Sequence, residues 1–300
     1  MRKLNQLDQI DNITLTIITP TYNRAILLER AYNSLLSQEA KCFEWIIIDD
    51  GSDDNTSEVV ARWIDEAPFP ITYVLQENMG KASAHNQGVV LAKGEYLSCL
   101  DSDDWFPKSA VSDRIKLMEE LAKDPMICGV VGLSVNPEGS VIGKRFPAAG
   151  IVGSKLEITR VASGDHSTVF KTEILKKYLF PTLPNEKFLP ESIVYNRIYQ
   201  DGYVFVSSNT ILGVKDYQQS GLTSTHLEQR LNSINGTILY YHEMSIIYTA
   251  VDFRLKSQAN LVRYMLHKLS FVGFSIRMVL FLPAAVIGLV YYLWDISRRR

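Results

Sequence analysis

Three carboxylates fall within four residues at Asp101-Ser102-Asp103-Asp104, directly behind the apolar run Glu95-Tyr96-Leu97-Ser98-Cys99-Leu100. Like charges gathered at the end of a segment that favours burial repel one another unless a cation neutralises them, and a divalent metal does so with the fewest groups. Asp103 is the first choice as ligand, with Asp101 and Asp104 beside it. The same residue types also make solvated turns that cap a following helix, so the cluster alone leaves both readings open. Lys81 offers a point charge suited to an anionic ligand. Further along, Phe188-Leu189-Pro190-Glu191-Ser192 puts a proline in a first-turn position and Glu191 beside a helix N-terminus. That setting keeps a carboxylate ionised, as a general base requires, while limiting its strength. Glu186 is the alternative base, and helix capping is the plain reading of either residue. Asp165, after Gly164, is placed to bind a hydroxyl or simply to shape a turn.

The elements that must carry these residues repeat a simple unit. Leu15-Thr16-Ile17-Ile18 reads as a strand ended by Pro20, and helical periodicity follows through Leu27, Leu28, Ala31, Leu35 and Leu36. Trp45-Ile46-Ile47-Ile48 runs into the acidic turn Asp49 to Asn55 and a helix from Thr56 to Ile64. Ile71-Thr72-Tyr73-Val74-Leu75 leads through Gln76 to Lys81 into a helix from Ala82 to Ala92, and a fourth strand delivers the aspartate cluster. Uninterrupted apolar strands alternating with helices predict a parallel sheet covered on both faces, with all four polar loops at its carboxyl edge. Thr19 to Arg24 contains no glycine, which argues against a dinucleotide-binding oxidoreductase or a nucleotidyltransferase built on a glycine-rich phosphate loop.

Four segments in this order, TPTYNR at Thr19 to Arg24, IIIDDGSDDNT at Ile46 to Thr56, ENMGKASAHNQG at Glu77 to Gly88 and LDSDDW at Leu100 to Trp105, resemble the family 2 glycosyltransferases. The resemblance covers Thr14 to about Leu133 and continues more weakly through Gly164 to Glu191. It implies the GT-A fold, a Rossmann-like, mostly parallel α/β sheet, and inverting transfer of a hexosyl or N-acetylhexosaminyl group from a nucleotide sugar, with a UDP-sugar expected. It also implies that Pro20, Thr21, Tyr22 and Asn23 surround the base and ribose and that Asp50 accepts the uracil imide hydrogen. Asp101 would lie near the ribose, Asp103 would hold Mn2+ or Mg2+ on the diphosphate, and Lys81 would sit against the phosphates. Many members carry arginine where this chain has His85, so the contact made there is open. A catalytically degenerate, nucleotide-binding scaffold in a membrane glycan-assembly complex is the rival reading, because fold does not ensure activity.

Composition fits an enzyme that touches a membrane. Hydrophobic residues make up 46% of 300, enough for a substantial core, and the formal charge of -2 argues against a nucleic-acid partner. Cys42, Cys99 and Cys128 are odd in number and widely spaced, which points to reduced thiols rather than disulfides or a zinc site. Residues 1–11 are a polar extension without the apolar core of a secretory signal. Residues 12–225 are expected to form the catalytic domain, divided into a nucleotide-sugar half (12–133) and an acceptor-side half (134–225), with a helical, membrane-associating tail over 226–300. In that tail Met278 to Trp294 carries no charge, and basic residues flank it on both sides: Arg254, Lys256, Arg263, Lys268 and Arg277 before, Arg298, Arg299 and Arg300 after. This predicts attachment at the cytoplasmic face of the cell membrane by a re-entrant or in-plane segment, with full spanning and a buried core helix as alternatives, and a lipid-linked saccharide as acceptor. Oligomeric state is not legible.

Overall fold

The computed structural model describes residues 13–217, 226–269 and 282–298. The chain divides into two compact units, the first comprising residues 1–180 and 197–219, the second 181–196 and 220–300. Residues 181–196, which carry Glu186 and Glu191, therefore fold with the tail helices rather than with the sheet.

The first unit is built on an eight-stranded sheet ordered β3-β2-β1-β4-β7-β5-β8-β6. Strands β1 (Leu15–Thr21) and β2 (Phe43–Asp49) are buried along their whole length, as continuous apolar runs covered on both faces must be. Between them lies helix α1 (Ala25–Leu36), and α2 (Thr56–Glu66) leads to β3 (Ile71–Leu75). Tyr32 of α1 stacks on Trp63 of α2 at 4.4 Å between ring centroids and faces Trp45 of β2 at 6.2 Å, which fixes both helices on the sheet. Pro20 does not end β1: the ladder to β2 continues through Pro20 to Thr21, whereas the ladder to β4 (Tyr96–Cys99) stops at Ile18.

Helix α3 (Lys81–Leu91) precedes β4, and the entry into β4 is set by Gly94, where a Cβ would fall 2.6 Å from the Thr16 backbone nitrogen. Glycine is required for so close an approach. The strands β1 to β4 are mutually parallel, and the order reverses between β1 and β4, so the loops after these two strands part at a switch point. Beyond it α4 (Ala110–Leu121), β5 (Ile127–Val135), β6 (Val152–Gly153), α5 (Lys155–Val161), β7 (His166–Lys171) and α6 (Thr172–Leu175) follow in sequence. Strand β7 is antiparallel to both β4 and β5, and β8 (Val204–Val214) is parallel to β5. This arrangement brings the start of β7 and the end of β8 to the same sheet edge as the ends of β1 and β4. Helix α7 (Ser192–Gln200) leads into β8.

In the second unit, α8 (His226–Asn232) and α9 (Ile234–Ile247) precede the long α10 (Val251–Leu269) and α11 (Leu282–Arg298). Helices α10 and α11 approach closely at Gly288, where a Cβ would lie 2.5 Å from the Ala259 carbonyl oxygen. Among the described residues no helix is long and apolar enough to cross a membrane. Of the uncharged segment Met278 to Trp294, residues 278–281 lie outside the described residues, as do 270–277 before it, and the rest belongs to α11. The aromatic residues near the end of α11, Tyr291, Tyr292 and Trp294, are divided. Tyr291 lies beneath the Arg263 guanidinium and Tyr292 meets His267 edge-on, both on α10, while Trp294 alone is exposed.

Candidate active site

The four expected loops assemble at the carboxyl edge of the sheet. After β1, Asn23 adopts a left-handed conformation with φ 51, donates its N–H to Ser52 Oγ at 2.8 Å, and accepts the Asp53 N–H on Oδ1 at 2.9 Å. Loops one and two are thereby joined. Thr21 is buried, while the Tyr22 side chain stands half exposed beside them.

Asp50 is buried, and its carboxylate is occupied by the third loop. Oδ1 accepts from Met79 N–H at 2.8 Å and from Gln76 Nε2 at 2.6 Å, and Oδ2 accepts from Gly80 N–H at 2.8 Å. Asp50 thus sets the turn that begins α3, with Gly80 at φ 91 and Lys81 as the first helical residue. Lys81 Nζ lies 2.7 Å from Asp101 Oδ1. His85 sits further along α3, packed edge-on against Phe180, and the side-chain amide of the neighbouring Asn86 donates to the Phe180 carbonyl and accepts the Phe180 N–H. Position 85 is part of the packing here.

The aspartate cluster is interleaved with cations. Arg24 Nη1 donates to Asp103 Oδ2 at 2.8 Å, crossing the switch point from β1 to β4. Lys215, immediately after β8, places Nζ 3.2 Å from Asp104 Oδ2, 3.6 Å from Asp165 Oδ2 and 3.8 Å from Asp101 Oδ2. The Tyr217 hydroxyl donates to Asp165 at 3.1 Å. Arg30 bridges Asp216 at 2.7 Å and the Asp103 carbonyl at 3.1 Å, with its guanidinium over the Trp105 ring. Burial pushes the Asp104 carboxyl up, with Lys215 opposing and Asp101 and Asp103 reinforcing the rise. At Lys215 the carboxylates of Asp101, Asp104 and Asp165 outweigh burial and hold its ammonium charged. Asp104 also accepts from Asp216 N–H at 3.3 Å, and Trp105 exchanges backbone hydrogen bonds with Val214, so this residue ties β8 to the loop.

A hard divalent cation suits the oxygen donors of Asp101 and Asp103. Among the described residues no three His, Cys, Asp or Glu side chains are arranged to hold an ion by themselves. One or two carboxylates completed by phosphate oxygens and water is the ordinary arrangement for magnesium at a phosphate site.

Arg24, Arg30, Lys215 and Tyr217 carry no assignment from sequence. Arg24 stands in the first motif, where a cation next to a strand end was a usable signal. Lys215 had none, because its place depends on the direction of β8. Glu186 and Glu191 belong to the second unit. Glu186 caps α9: Oε1 accepts from Asn235 N–H at 2.8 Å and Asn235 Nδ2 at 2.7 Å, and Oε2 accepts from Gly236 N–H at 2.7 Å. Glu191 is exposed just before α7 and accepts a hydrogen bond from the Tyr195 hydroxyl at 3.3 Å. The cysteines are all free.

A parallel βα half-sheet with a polar switch point, continued by antiparallel pairing at β7, defines a GT-A-like α/β protein. The family model for glycosyl transferase family 2 matches residues 16–179, and the chain belongs to that family. It is 28% identical over 200 residues to the GalNAc(5)-diNAcBac-PP-undecaprenol beta-1,3-glucosyltransferase of Campylobacter jejuni, covering 64% of this chain and 62% of that protein. With the poly-beta-1,6-N-acetyl-D-glucosamine synthase of Staphylococcus aureus it shares 33% over 139 residues, 46% of this chain and 32% of the synthase. An uncharacterised Nostoc glycosyltransferase is 40% identical over 94 residues, 31% of this chain and 29% of that one. The chain thus spans less than two thirds of the length of these relatives. Among solved structures, S. aureus TarS residues 1–349 with UDP-GlcNAc superposes with a TM-score of 0.63 at 20% identity, covering 95% of this chain and 82% of that one. The mannosyltransferase PcManGT of Pyrobaculum calidifontis, solved with GDP-Man and Mn2+, gives 0.58 at 20% identity over 94% and 87%. These likenesses establish the fold.

Proposed function

We propose that this chain transfers a hexosyl or N-acetylhexosaminyl group, with inversion, from a nucleoside diphosphate sugar to a lipid-linked saccharide in cell-surface polysaccharide synthesis, at the cytoplasmic face of the membrane and attached through its C-terminal segment. A UDP-sugar is the first choice of donor. The observation that carries the reading is the interleaving of Lys81, Arg24 and Lys215 with Asp101, Asp103 and Asp104 at the switch point. Such a set can receive a diphosphate by exchanging internal ion pairs for pairs with the ligand. The undecaprenol-linked substrate named for the Campylobacter relative supports a lipid-linked acceptor.

In this mechanism the turn Pro20 to Asn23 and the Asp50 platform bound the base, with Asp50 also the candidate acceptor of its imide hydrogen. Lys81, freed from Asp101, and Arg24, freed from Asp103, bind phosphate oxygens. Asp103 and Asp101 would hold Mn2+ or Mg2+, which when bound neutralises charge on the leaving diphosphate. Glu191 takes the proton from the acceptor hydroxyl as its oxygen bonds to the anomeric carbon and the bond to the diphosphate breaks. Asp165 receives a sugar hydroxyl.

A panel of nucleotide sugars, followed by release of the nucleoside diphosphate with Mn2+, with Mg2+ and with excess chelator, tests this reading. Turnover with one donor that chelator abolishes is the expected result. Full turnover in chelator would overturn the metal assignment, and nucleotide binding without turnover of any donor would favour the degenerate scaffold.

A further inference from the structure

Helix α11 displays an apolar stripe on its outside. Val286, Leu289, Val290, Leu293 and Trp294 are 59%, 45%, 57%, 55% and 51% exposed, and their spacing of three and four residues puts them on one face. Scattered exposed apolar residues are ordinary, but five large ones on adjacent turns form a contiguous patch that marks an interaction surface. The opposite face is committed to α10. Ala284 and Gly288 are buried there, and Asp295, fully buried, accepts from Arg263 Nε and Nη2 at 2.6 and 2.5 Å and meets His267 Nε2 at 2.9 Å.

We infer that the Val286–Trp294 stripe lies flat on an anionic bilayer surface, with α11 parallel to the membrane plane. The inference rests on the membrane-attachment reading above and specifies the face and its orientation. Spanning is disfavoured twice. The helix has 17 residues, which at 1.5 Å each gives about 26 Å against a hydrocarbon core of about 30 Å. Lipid on all sides would also surround the face that carries the Asp295 ion cluster. Charge selects the partner: Arg298, Arg299 and Arg300 follow the last stripe residue, and Trp294, the side chain that favours the headgroup level, stands at that same end. A second copy packed parallel along the stripe would bring like charges together there.

The test uses the full chain with vesicles of phosphatidylcholine alone or with phosphatidylglycerol. Co-sedimentation with the anionic vesicles should be at least tenfold stronger than with neutral ones, and Leu289→Glu with Leu293→Glu should reduce it by at least tenfold with circular dichroism unchanged. In the unsubstituted chain, brominated lipid should quench tryptophan emission, and Trp294→Phe should remove that quenching, a readout independent of the charged variants. Vesicle binding undiminished by the double substitution, with no Trp294 quenching, would overturn the stripe while leaving membrane attachment through another segment. Loss of binding to every vesicle would overturn both readings. Concentration-dependent self-association by sedimentation, abolished by the double substitution, would make the stripe an interface between copies and overturn the inference.

Discussion

The sheet mouth and the α10–α11 hairpin use charge in opposite ways. At the mouth, ion pairs such as Arg24–Asp103 and Lys81–Asp101 are partly exposed, each side chain retaining between 17% and 31% of its accessibility. They can be exchanged for a ligand at small net cost, because exposed pairs contribute little and water stays at hand. In the hairpin, Asp295 is sealed between Arg263 and His267, while apolar side chains face outward. One region keeps its charges available for binding, and the other spends them on helix packing and presents apolar surface instead. The contrast teaches that similar ion pairs serve different ends according to burial.

The largest effects should come from breaking the proposed transfer chemistry. Glu191→Gln keeps shape and hydrogen bonding but removes proton acceptance, so transfer should fall by roughly two to four powers of ten while donor affinity, read by titration, persists. Glu186→Gln should instead act on stability, lowering the melting temperature through the α9 cap with turnover nearly preserved. The reverse pattern would swap the two roles. Asp103→Asn should lower transfer by about a hundredfold or more with the fold intact, the scale of losing one strong electrostatic contributor, and normal turnover would remove Asp103 from the site.

The hairpin side predicts a stability change rather than a catalytic one. Burial raises the Asp295 carboxyl, but hydrogen bonds and charge from Arg263 and His267 outweigh this and hold it below its ordinary value. A depressed folded pKa contributes stability that is present above the unfolded value near 3.9 and lost as pH falls through the folded one. Acid unfolding of the helices should therefore begin below about pH 4 from this group. Asp295→Asn should destabilise the second unit by about 3–5 kcal/mol at neutral pH, as breaking one side of a buried pair does, measured by denaturant melting. Equal stability of the variant would show that the pair is not what holds α11.

The smallest effect sharpens the comparison at the mouth. Lys215→Met leaves Asp101, Asp104 and Asp165 without their shared cation, so thermal stability should drop more at pH 8 than at pH 5, where Asp104, pushed up to about 7 by burial, is protonated and the repulsion eases. A pH-independent loss would indicate that Lys215 acts through packing alone.

Much of the first unit was legible because local physics agreed with the global fold. Leu15–Ile18 and Trp45–Ile48 are buried on both faces of a parallel sheet, and no other element type accommodates such short, β-branched runs between helices so well. The loops after those strands then had to meet at one edge, which brings Asn23, Asp50, Lys81 and Asp103 to the same side of the sheet. Sequence also located the uncharged run Met278 to Trp294, most of which lies in α11, although its composition did not say which face was turned inward.

Tertiary structure alone decided the partners. Lys215 reaches the aspartates only because β7 runs antiparallel and β8 returns to the same edge, a pairing between segments distant in sequence that no local pattern encodes. The sequence assigns Asp50 a role toward the base, and folding adds a second one: its oxygens receive the backbone of the third loop, because N–H groups there needed an acceptor. Glu186 became a helix cap for the same reason, the orphan donors of α9 lying in reach only after folding. Residue type and spacing thus determined which chemistry was available, and the long-range pairing of strands and helices determined which group each charge would face.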